Sequence, residues 1–281
     1  MDIIKDCEFG GERPLYRREH LRLENVVIHP GESALKETAD IEAEGCEFQG
    51  KYPFWECNGF TVRHCVFREG ARAALWYSRN CRMSDTLVEA PKMFREMDGV
   101  SLENVRIPYA LETFWRCRGI RLRNVEVEKG DYIYMHSRDI DIDGYRQQGN
   151  YSFQYCKNVV IRNAYLDTKD AFWETEDVTV IDSEIHGEYL GWYSRRLRLV
   201  NCRISGTQPL CYAEDLVLEN CTLDADADLA FEYSTVQADI RGNVTSVKNP
   251  RSGRIVADGY GQIILDENLK APGDCLLLTR V

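Results

Sequence analysis

The segment LRLEN at residues 21–25 returns along the chain as VSLEN (100–104), IRLRN (120–124), VVIRN (159–163), LRLVN (197–201) and LVLEN (216–220). Weaker copies between these segments complete a series of twelve repeats. Their first residues are Leu21, Ile41, Phe60, Cys81, Val100, Ile120, Ile140, Val159, Val178, Leu197, Leu216 and Val236. Successive members lie 19 to 21 residues apart, about 19.5 on average. A period of this length indicates a solenoid.

Each repeat has the same internal pattern. Its first and third positions are apolar and the residue between them is mixed, which predicts a short strand with one buried face. The fifth position is usually Asn, Asp or Gly, residue types that accept a left-handed backbone, so it predicts a corner with stacked asparagines. A second alternating stretch such as Cys202/Ile204 follows, and then an aromatic patch such as Phe114-Trp115.

Three short strands per repeat, without helices, predict an all-β fold. We expect a single-stranded right-handed parallel β-helix of about 12 coils, with residues 1–281 forming a single domain. Residues 21–239 are the regular coils, residues 1–20 lead into or cap the first coil, and residues 240–281 form distorted terminal coils and a cap. A left-handed hexapeptide helix would need a period of 18. A leucine-rich repeat remains an alternative, because it also alternates leucines around an Asn.

Charge and cysteine content restrict the classes of partner. The formal net charge of −11 is unfavourable for binding nucleic acid or an anionic membrane. The N-terminus lacks a cationic segment followed by an apolar one, and no run of 18 apolar residues occurs, so we expect a cytoplasmic protein. The 11 scattered cysteines form no CxxC pair, and the five histidines have no clamp spacing. No metal site and no cofactor are expected, and the oligomeric state is left open.

Further short segments connect the chain to a family. They are FGGERPL (9–15), GES (31–33), KYP (51–53), EAPK (89–92), GDY (130–132), GNYSF (149–153), KDAFW (169–173), GEYLGW (187–192) and FEYS (231–234). With them the chain resembles a bacterial domain-of-unknown-function family of the pectate-lyase-like right-handed β-helix superfamily. The resemblance implies the fold and brings no assigned activity or catalytic residues.

Enzymes of that superfamily mostly cleave or modify polysaccharides. The motifs of its galacturonan hydrolases are Asn-x-Asp, Asp-Asp, Gly-His-Gly and Arg-x-Lys, and none of them occurs in this chain. The pectate lyase motifs Arg-x-Pro-x-x-Arg and Asp-His are absent as well. Neither chemistry can therefore be carried over, since a fold alone does not imply a function.

A column of polar residues precedes the aromatic patch in successive repeats and should stack on one face of the β-helix. Acids and bases beside aromatic rings have the composition of a sugar groove. The candidate ligand-binding residues are Lys51, Trp55, Arg72, Lys92, Glu112, Asp131, Lys169, Trp173, Tyr189 and Trp192. Asp170 and Glu188, from adjacent repeats, are the candidate catalytic pair, because carboxyls about 5 Å apart approach the spacing of retaining glycosidases.

The same residues also suit a structural role. Opposite charges stacked on neighbouring coils stabilise the register by about 0.2–1 kcal/mol per pair. His64 is expected to be a corner residue, and Arg121 and Arg123 are expected on a charge-mixed, solvated face. The leading hypothesis is a protein that binds a carbohydrate along the column, with catalysis left open. The alternative is a non-catalytic structural or protein-interaction scaffold, in which the column is a charge ladder or a protein interface. An open groove with unpaired carboxylates favours the first, and a flat, fully paired face favours the second.

Overall fold

The computed structural model describes residues 1–73, 75–268 and 273–280. It confirms the predicted right-handed parallel β-helix, wound in about 14 coils. The strands pair in parallel, one repeat apart, so that Leu21 lies beside Ile41 and Ile41 beside Phe60. The same column continues from Phe60 through Cys81 to Val100. The repeat found in the sequence is therefore the register of the structure.

The chain divides into two compact units, Met1–Arg146 and Gln147–Val281. The prediction of a single domain stays a prediction. The first unit contains a short 3-10 helix, Glu69–Ala71. Its strands are β1 (Asp2–Lys5), β2 (Glu8–Glu12), β3 (Glu19–Glu24), β4 (Val27–Glu32), β5 (Ala39–Glu44), β6 (Glu47–Phe48), β7 (Asn58–Arg63), β8 (Val66–Phe67), β9 (Arg79–Ser84), β10 (Leu87–Val88), β11 (Asp98–Ile107) and β12 (Arg118–Asp131).

Strand β13 (Arg138–Asn150) begins in the first unit and ends in the second. The strands of the second unit are β14 (Lys157–Lys169), β15 (Glu176–Ile181), β16 (Glu184–His186), β17 (Arg195–Val200), β18 (Arg203–Ser205), β19 (Leu216–Leu223), β20 (Thr235–Ile240), β21 (Asn243–Lys248), β22 (Ser252–Ala257), β23 (Gly259–Ile264) and β24 (Leu276–Thr279).

Coils also form outside residues 21–239. Residues 1–20 contain β1 and β2, which pair with β3 and β4 as further members of the same columns. After residue 240, β22 pairs with β20 and β24 pairs with β22, while β21 pairs with β23. These additional coils explain why the structure has more coils than the twelve repeats of the sequence.

The core is a set of stacked apolar columns. Leu21, the first residue of the repeat series, is 0% exposed, and each of the other eleven is at most 2% exposed. In the first unit Phe94, Phe114 and Tyr134 stack with ring centroids 4.8 Å apart and planes within 6° of each other. This separation equals the distance between paired strands, so the rings stack because the backbones do.

The predicted corner is present and is built on left-handed residues. Asn104 and Asn124 have φ values of 53° and 52°, and the Asn124 amide donates to Asn104 Oδ1 at 2.8 Å. In the second unit Asn220 donates to Asn201 Oδ1 at 2.6 Å in the same way. His64 has a φ of 50° and lies 2.7 Å from Glu44 Oε1 through Nδ1, as expected of a corner residue. The hydrogen bonds of this ladder satisfy the asparagine amides, which would otherwise compete with the backbone for hydrogen-bond partners.

The third segment of each coil differs from the predicted strand. It consists of turns joined by single bridges, such as Trp76 with Arg95. Glu112, Phe114 and Arg116 alternate in left-handed conformation, with φ values of 49°, 59° and 52°. Their amides donate to carbonyls of neighbouring coils at 2.9 to 3.0 Å. These bonds hold a conformation that is unfavourable for non-glycine residues by itself.

We expect Phe114→Ala to lower the free energy of unfolding by about 3–5 kcal/mol, because it removes the middle ring of a buried stack. Urea denaturation followed by circular dichroism measures the change. Glu103→Ala, an exposed position on the preceding strand of the same coil, is the control and should stay within about 0.5 kcal/mol of the wild type. Equal effects of the two substitutions would contradict the assignment of this stack to the core.

Candidate functional site

A ladder of aromatic rings follows the outer surface of the second unit. Trp173 and Trp192 stack with centroids 5.9 Å apart and planes 22° apart, and Tyr193 lies 5.8 Å from Trp192. Tyr212 continues the ladder 5.1 Å from Tyr193, and Tyr233 follows 5.3 Å from Tyr212. Because neighbouring rings cover one another's faces, the ladder presents mainly ring edges to solvent. Tyr193, at 48% exposure, is its most open ring.

Polar atoms without partners lie in this ladder. The indole Nε1 atoms of Trp173 and Trp192 are buried and have no hydrogen-bond acceptor. The same holds for the amide nitrogen of Gln154, whose backbone is in register with Trp173. A buried donor without an acceptor costs about 1–3 kcal/mol. This surface therefore carries three unsatisfied donors, one on each of three successive coils.

Asp170 is a buried carboxyl that lacks a full set of partners. It is 3% exposed, and its Oδ1 atom is buried without a hydrogen bond. Glu232, at 8% exposure, is also buried, but Lys248 lies 2.9 Å from its Oε1 atom. Since buried charges are normally paired, Asp170 is an exception to the pattern of the fold.

The repeat explains how Asp170 reaches this position. It occupies a left-handed corner, with a φ of 50°, and its amide donates to the Glu188 carbonyl at 2.9 Å. Backbone register places Tyr151 at the same corner one coil before and Tyr189 one coil after, with φ values of 55° and 53°. Asp170 is thus an acid in a column where both neighbouring coils have a tyrosine.

Burial raises the pKa of Asp170 to about 6. Removal of the carboxylate from water is the main cause. The positive charge of Lys169 works in the opposite direction, and the negative charge of Glu188 adds to the increase. The group therefore exchanges its proton near neutral pH, as general acids and bases of enzymes do.

Lys169 and Glu188 form the exposed part of the site. Lys169 Nζ lies 3.6 Å from Glu188 Oε2, and the side chains are 40% and 51% exposed. The same ammonium lies 5.5 Å from the centroid of the Tyr189 ring. A mixed-charge pair and an aromatic ring thus stand beside a buried acid.

The structure brings six predicted residues of the second unit together on two adjacent coils. Lys169, Asp170 and Trp173 lie on one coil, and Glu188, Tyr189 and Trp192 lie on the next. We call these residues, with Tyr193, the Asp170 site. Tyr193, Tyr212 and Gln154 were not among the predicted site residues. A tyrosine recurring at 155, 193, 212 and 233 was the available signal for the first two.

The predicted residues of the first unit form a paired surface instead. Glu112 Oε2 lies 3.1 Å from Lys92 Nζ and 3.4 Å from an Arg95 nitrogen. The Arg95 guanidinium also lies over the rings of Trp76 and Trp115, 5.4 and 4.5 Å from their centroids. The charged groups of Lys92, Arg95 and Glu112 therefore all have partners within the protein.

The remaining candidates of the first unit are scattered. Trp55 stacks on Trp76 at 6.2 Å and carries Lys36 Nζ 4.9 Å from its ring. Lys51 borders a shallow, glycine-rich depression of about 560 Å³. Arg72 is exposed, and Asp131 is half-buried with its carbonyl accepting the Glu112 amide. They do not gather around an unpaired acid as the Asp170 site does.

Within residues 1–73, 75–268 and 273–280, no group of three or more His, Cys, Asp or Glu side chains is arranged to hold a metal ion. The same residues contain no helix that is long and apolar enough to cross a membrane.

The profile of a protein family, described as protein of unknown function (DUF3737), matches residues 2–278. The chain belongs to the DUF3737 family. The predicted resemblance to a β-helix family of unknown function is therefore confirmed. No functionally curated protein matches the DUF3737 chain in sequence.

Solved structures align with this DUF3737 chain at low identity. The surface protein and adhesin PfbA of Streptococcus pneumoniae has 9% identity and a TM-score of 0.39, covering 98% of this chain and 91% of its own. The tailspike protein of E. coli bacteriophage HK620, solved as a double mutant with a pentasaccharide, has 10% identity and a TM-score of 0.35, with coverages of 99% and 70%. The A-module of the Azotobacter vinelandii mannuronan C-5 epimerase AlgE4 has 10% identity and a TM-score of 0.31, and the alignment covers 99% of this chain and 81% of the module. None of these similarities assigns an activity to this chain.

The raised pKa of Asp170 predicts a pH-dependent loss of stability. Its folded pKa, about 6, exceeds its unfolded value, so the folded state gains stability as pH falls through 6 and the gain is complete below about 4. The free energy of unfolding of the wild type minus that of Asp170→Asn should therefore decrease by about 3 kcal/mol between pH 4 and pH 8. Urea denaturation across this range measures it.

Asp177→Asn is the matched control. The Asp177 carboxylate accepts a hydrogen bond from Arg196 Nε at 2.6 Å, which lowers the pKa of that carboxyl. The free energy of unfolding of the wild type minus that of Asp177→Asn should therefore increase as pH rises. If the corresponding difference for Asp170→Asn does not change with pH, the Asp170 carboxyl has the same pKa in the folded and unfolded states, and the prediction is wrong.

Proposed function

We propose that the Asp170 site binds a saccharide, and that Asp170 holds or donates a proton to it. The observation that carries the proposal is the buried Oδ1 of Asp170, which has no partner in the described structure and lies among three unsatisfied donors on three successive coils. Elsewhere in the described chain, stacked charges such as Lys92 and Glu112 pair with one another. Unsatisfied indole nitrogens also occur at Trp55 and Trp76, so the unpaired acid distinguishes this part of the column as the one that a ligand can complete.

The chemistry of a sugar matches this set of groups. Its hydroxyls both donate and accept, so they can meet the Asp170 carboxyl and the indole and amide donors after small side-chain movements. Its C–H groups can pack against the exposed ring of Tyr193 and the ring edges of Tyr189 and Trp192 beside it. Lys169 and Glu188 supply exposed charges of both signs at the border.

The site also contains the two carboxyls that glycosidic bond cleavage requires. With its pKa raised to about 6, Asp170 keeps its proton in about a tenth of the molecules at pH 7, while Glu188 is exposed and belongs to the next coil. Strand spacing puts the two backbones about 5 Å apart. A retaining glycosidase uses such a pair with its carboxyls about 5 Å apart, and here Asp170 would be the acid and Glu188 the nucleophile.

A scaffold role is the second candidate, and the ladders favour it. The rings of Trp173 and Trp192 cover one another, and Glu112 is shared between Lys92 and Arg95. These contacts stabilise the coil register without any ligand. In this case the column would serve the fold alone, and no sugar would bind.

A thermal-shift screen against neutral oligosaccharides and uronic acids distinguishes the two. A ligand at 100 times its Kd should raise the stability by about 2.7 kcal/mol. We expect one sugar class to raise the melting temperature of the wild type and to have little effect on Asp170→Asn or Tyr193→Asn. Asparagine is chosen at 193 because Tyr193 has a φ of 55°, which asparagine tolerates.

Tyr77→Asn is the matched control. Tyr77 lies in the first unit, is 46% exposed, has a φ of 56° and stacks on Trp76 at 5.5 Å, as Tyr193 does on Trp192. This variant should keep the full ligand response. No shift with any sugar at millimolar concentration, or equal losses in both tyrosine variants, would reject a saccharide site at Asp170. Release of reducing ends by the wild type and not by Glu188→Gln would add catalysis to binding.

We further propose that the protein works in a reducing compartment, the cytoplasm. All eleven cysteines are free thiols, and burial raises the pKa of Cys57 to about 11 and that of Cys117 to about 12. Thiols of this kind behave as small core side chains. Mass spectrometry of the protein alkylated in its source cells should find eleven reduced cysteines, and a native disulfide would contradict the location.

A further inference from the structure

A second candidate site lies in the first unit, on the outer face of the first strand of each coil. A groove of about 540 Å³ runs along β5, β7, β9, β11 and β12. Residues in register across these strands form its wall: Glu42, Thr61, Arg82, Ser101 and Arg121. Each of them alternates with buried residues, so each side chain points outward.

Glycines open this groove. The left-handed corner before the strand is Gly59, Gly99 and Gly119 in three of these coils. At the same corner other coils have Asp40, Asn80 and Asp139 in the first unit and Asn158, Asp177, Arg196 and Asp215 in the second, with φ values of 53° to 58°. The backbone therefore accepts a side chain here. A Cβ at Gly99 would meet no atom closer than 3.4 Å, so the groove results from the residue choice and not from the fold.

The charges of the groove are unbalanced. The carboxylates on its wall are paired with residues outside the groove. Asp40 Oδ2 lies 2.6 Å from His20 Nδ1, and Glu42 Oε2 accepts a hydrogen bond from Arg22 at 2.9 Å. Arg82 and Arg121 form no side-chain hydrogen bond or ion pair within the described part of the chain.

Their neighbours do not fill this gap. Asp141 lies 20 residues after Arg121, at the same position of the next repeat, and its Oδ1 accepts a hydrogen bond from Arg123 at 2.8 Å. Two free guanidinium groups thus face one groove in a chain whose net charge is −11. Arg121 and Arg123 are both exposed, as expected of a charge-mixed, solvated face, but within the described residues only Arg123 of the two has an ion-pair partner.

We propose that this groove binds a small organic oxyanion, a phosphate or carboxylate group held between Arg82 and Arg121 above Ser101. The two arginines are two coils apart, about 10 Å between backbones, and long side chains close that distance around one anion. A guanidinium presents a planar fork of donors that matches such groups, and the Ser101 hydroxyl adds a donor between the forks. The volume leaves room for the body of the ligand.

Isothermal titration calorimetry at low salt tests the proposal with three probes. They are inorganic phosphate, glucuronate and neutral glucose. We expect phosphate or glucuronate to bind with saturation, and glucose not to bind in the groove. The anion that binds more tightly identifies the group. Arg82→Gln combined with Arg121→Gln should weaken that binding by about tenfold or more, because charged hydrogen bonds are lost.

Two further variants make the result specific. Gly99→Asn fills the groove with a side chain that Asn80 already carries at the same corner, and it should also abolish binding. Arg241→Gln removes the same charge from an exposed position of the second unit and should leave binding unchanged. No binding of either anion at millimolar concentration, or binding that survives in both groove variants, would overturn the proposal. Since Asp170→Asn leaves this groove intact, its outcome is independent of the saccharide site.

Discussion

Parallel backbone pairing between consecutive coils is the constraint on which the rest of this structure depends. It places residue i directly above the residue about 19 or 20 positions later, at the separation of paired strands. Every side chain therefore has two neighbours of predetermined position. Phenylalanines stack at 4.8 Å, asparagines join into amide ladders, and opposite charges meet as Lys92 and Glu112 do. Each of these ladders stabilises the same register, so the contributions support one another.

Such a fold makes exceptions informative. A residue that fits its column is explained by stacking, whereas Asp170 has tyrosines at its corner on both adjacent coils and keeps an oxygen without a partner. Gly99 and Gly119 are exceptions of another kind, because the same corner carries polar side chains elsewhere. The first exception produces an acid with a raised pKa, and the second leaves a groove between unpaired arginines. In both places the local sequence departs from what the ladder favours, which is typical of functional positions.

Most of the fold could be predicted because its information is periodic. The buried position of Val100 and the corner at Asn104 follow directly from their places in the repeat. The turn conformation around Phe114 could not be predicted, because left-handed aromatic residues depend on hydrogen bonds from adjacent coils. Site residues were harder for a related reason. The sequence identified Lys169, Asp170 and Glu188 as a polar column, but only packing distinguishes a paired Glu112 from an unpaired Asp170.

The central claim is that the Asp170 carboxyl, buried and unpaired, exchanges its proton near neutral pH. Carbon-13 NMR titration of the aspartate carboxyls measures this directly, with the Asp170→Asn variant identifying the resonance. We predict one aspartate signal that titrates with a pKa of about 6 and is missing from the variant. If every aspartate carboxyl titrates near or below its ordinary value of about 4, Asp170 is solvated or paired in solution, and the account of this site is wrong.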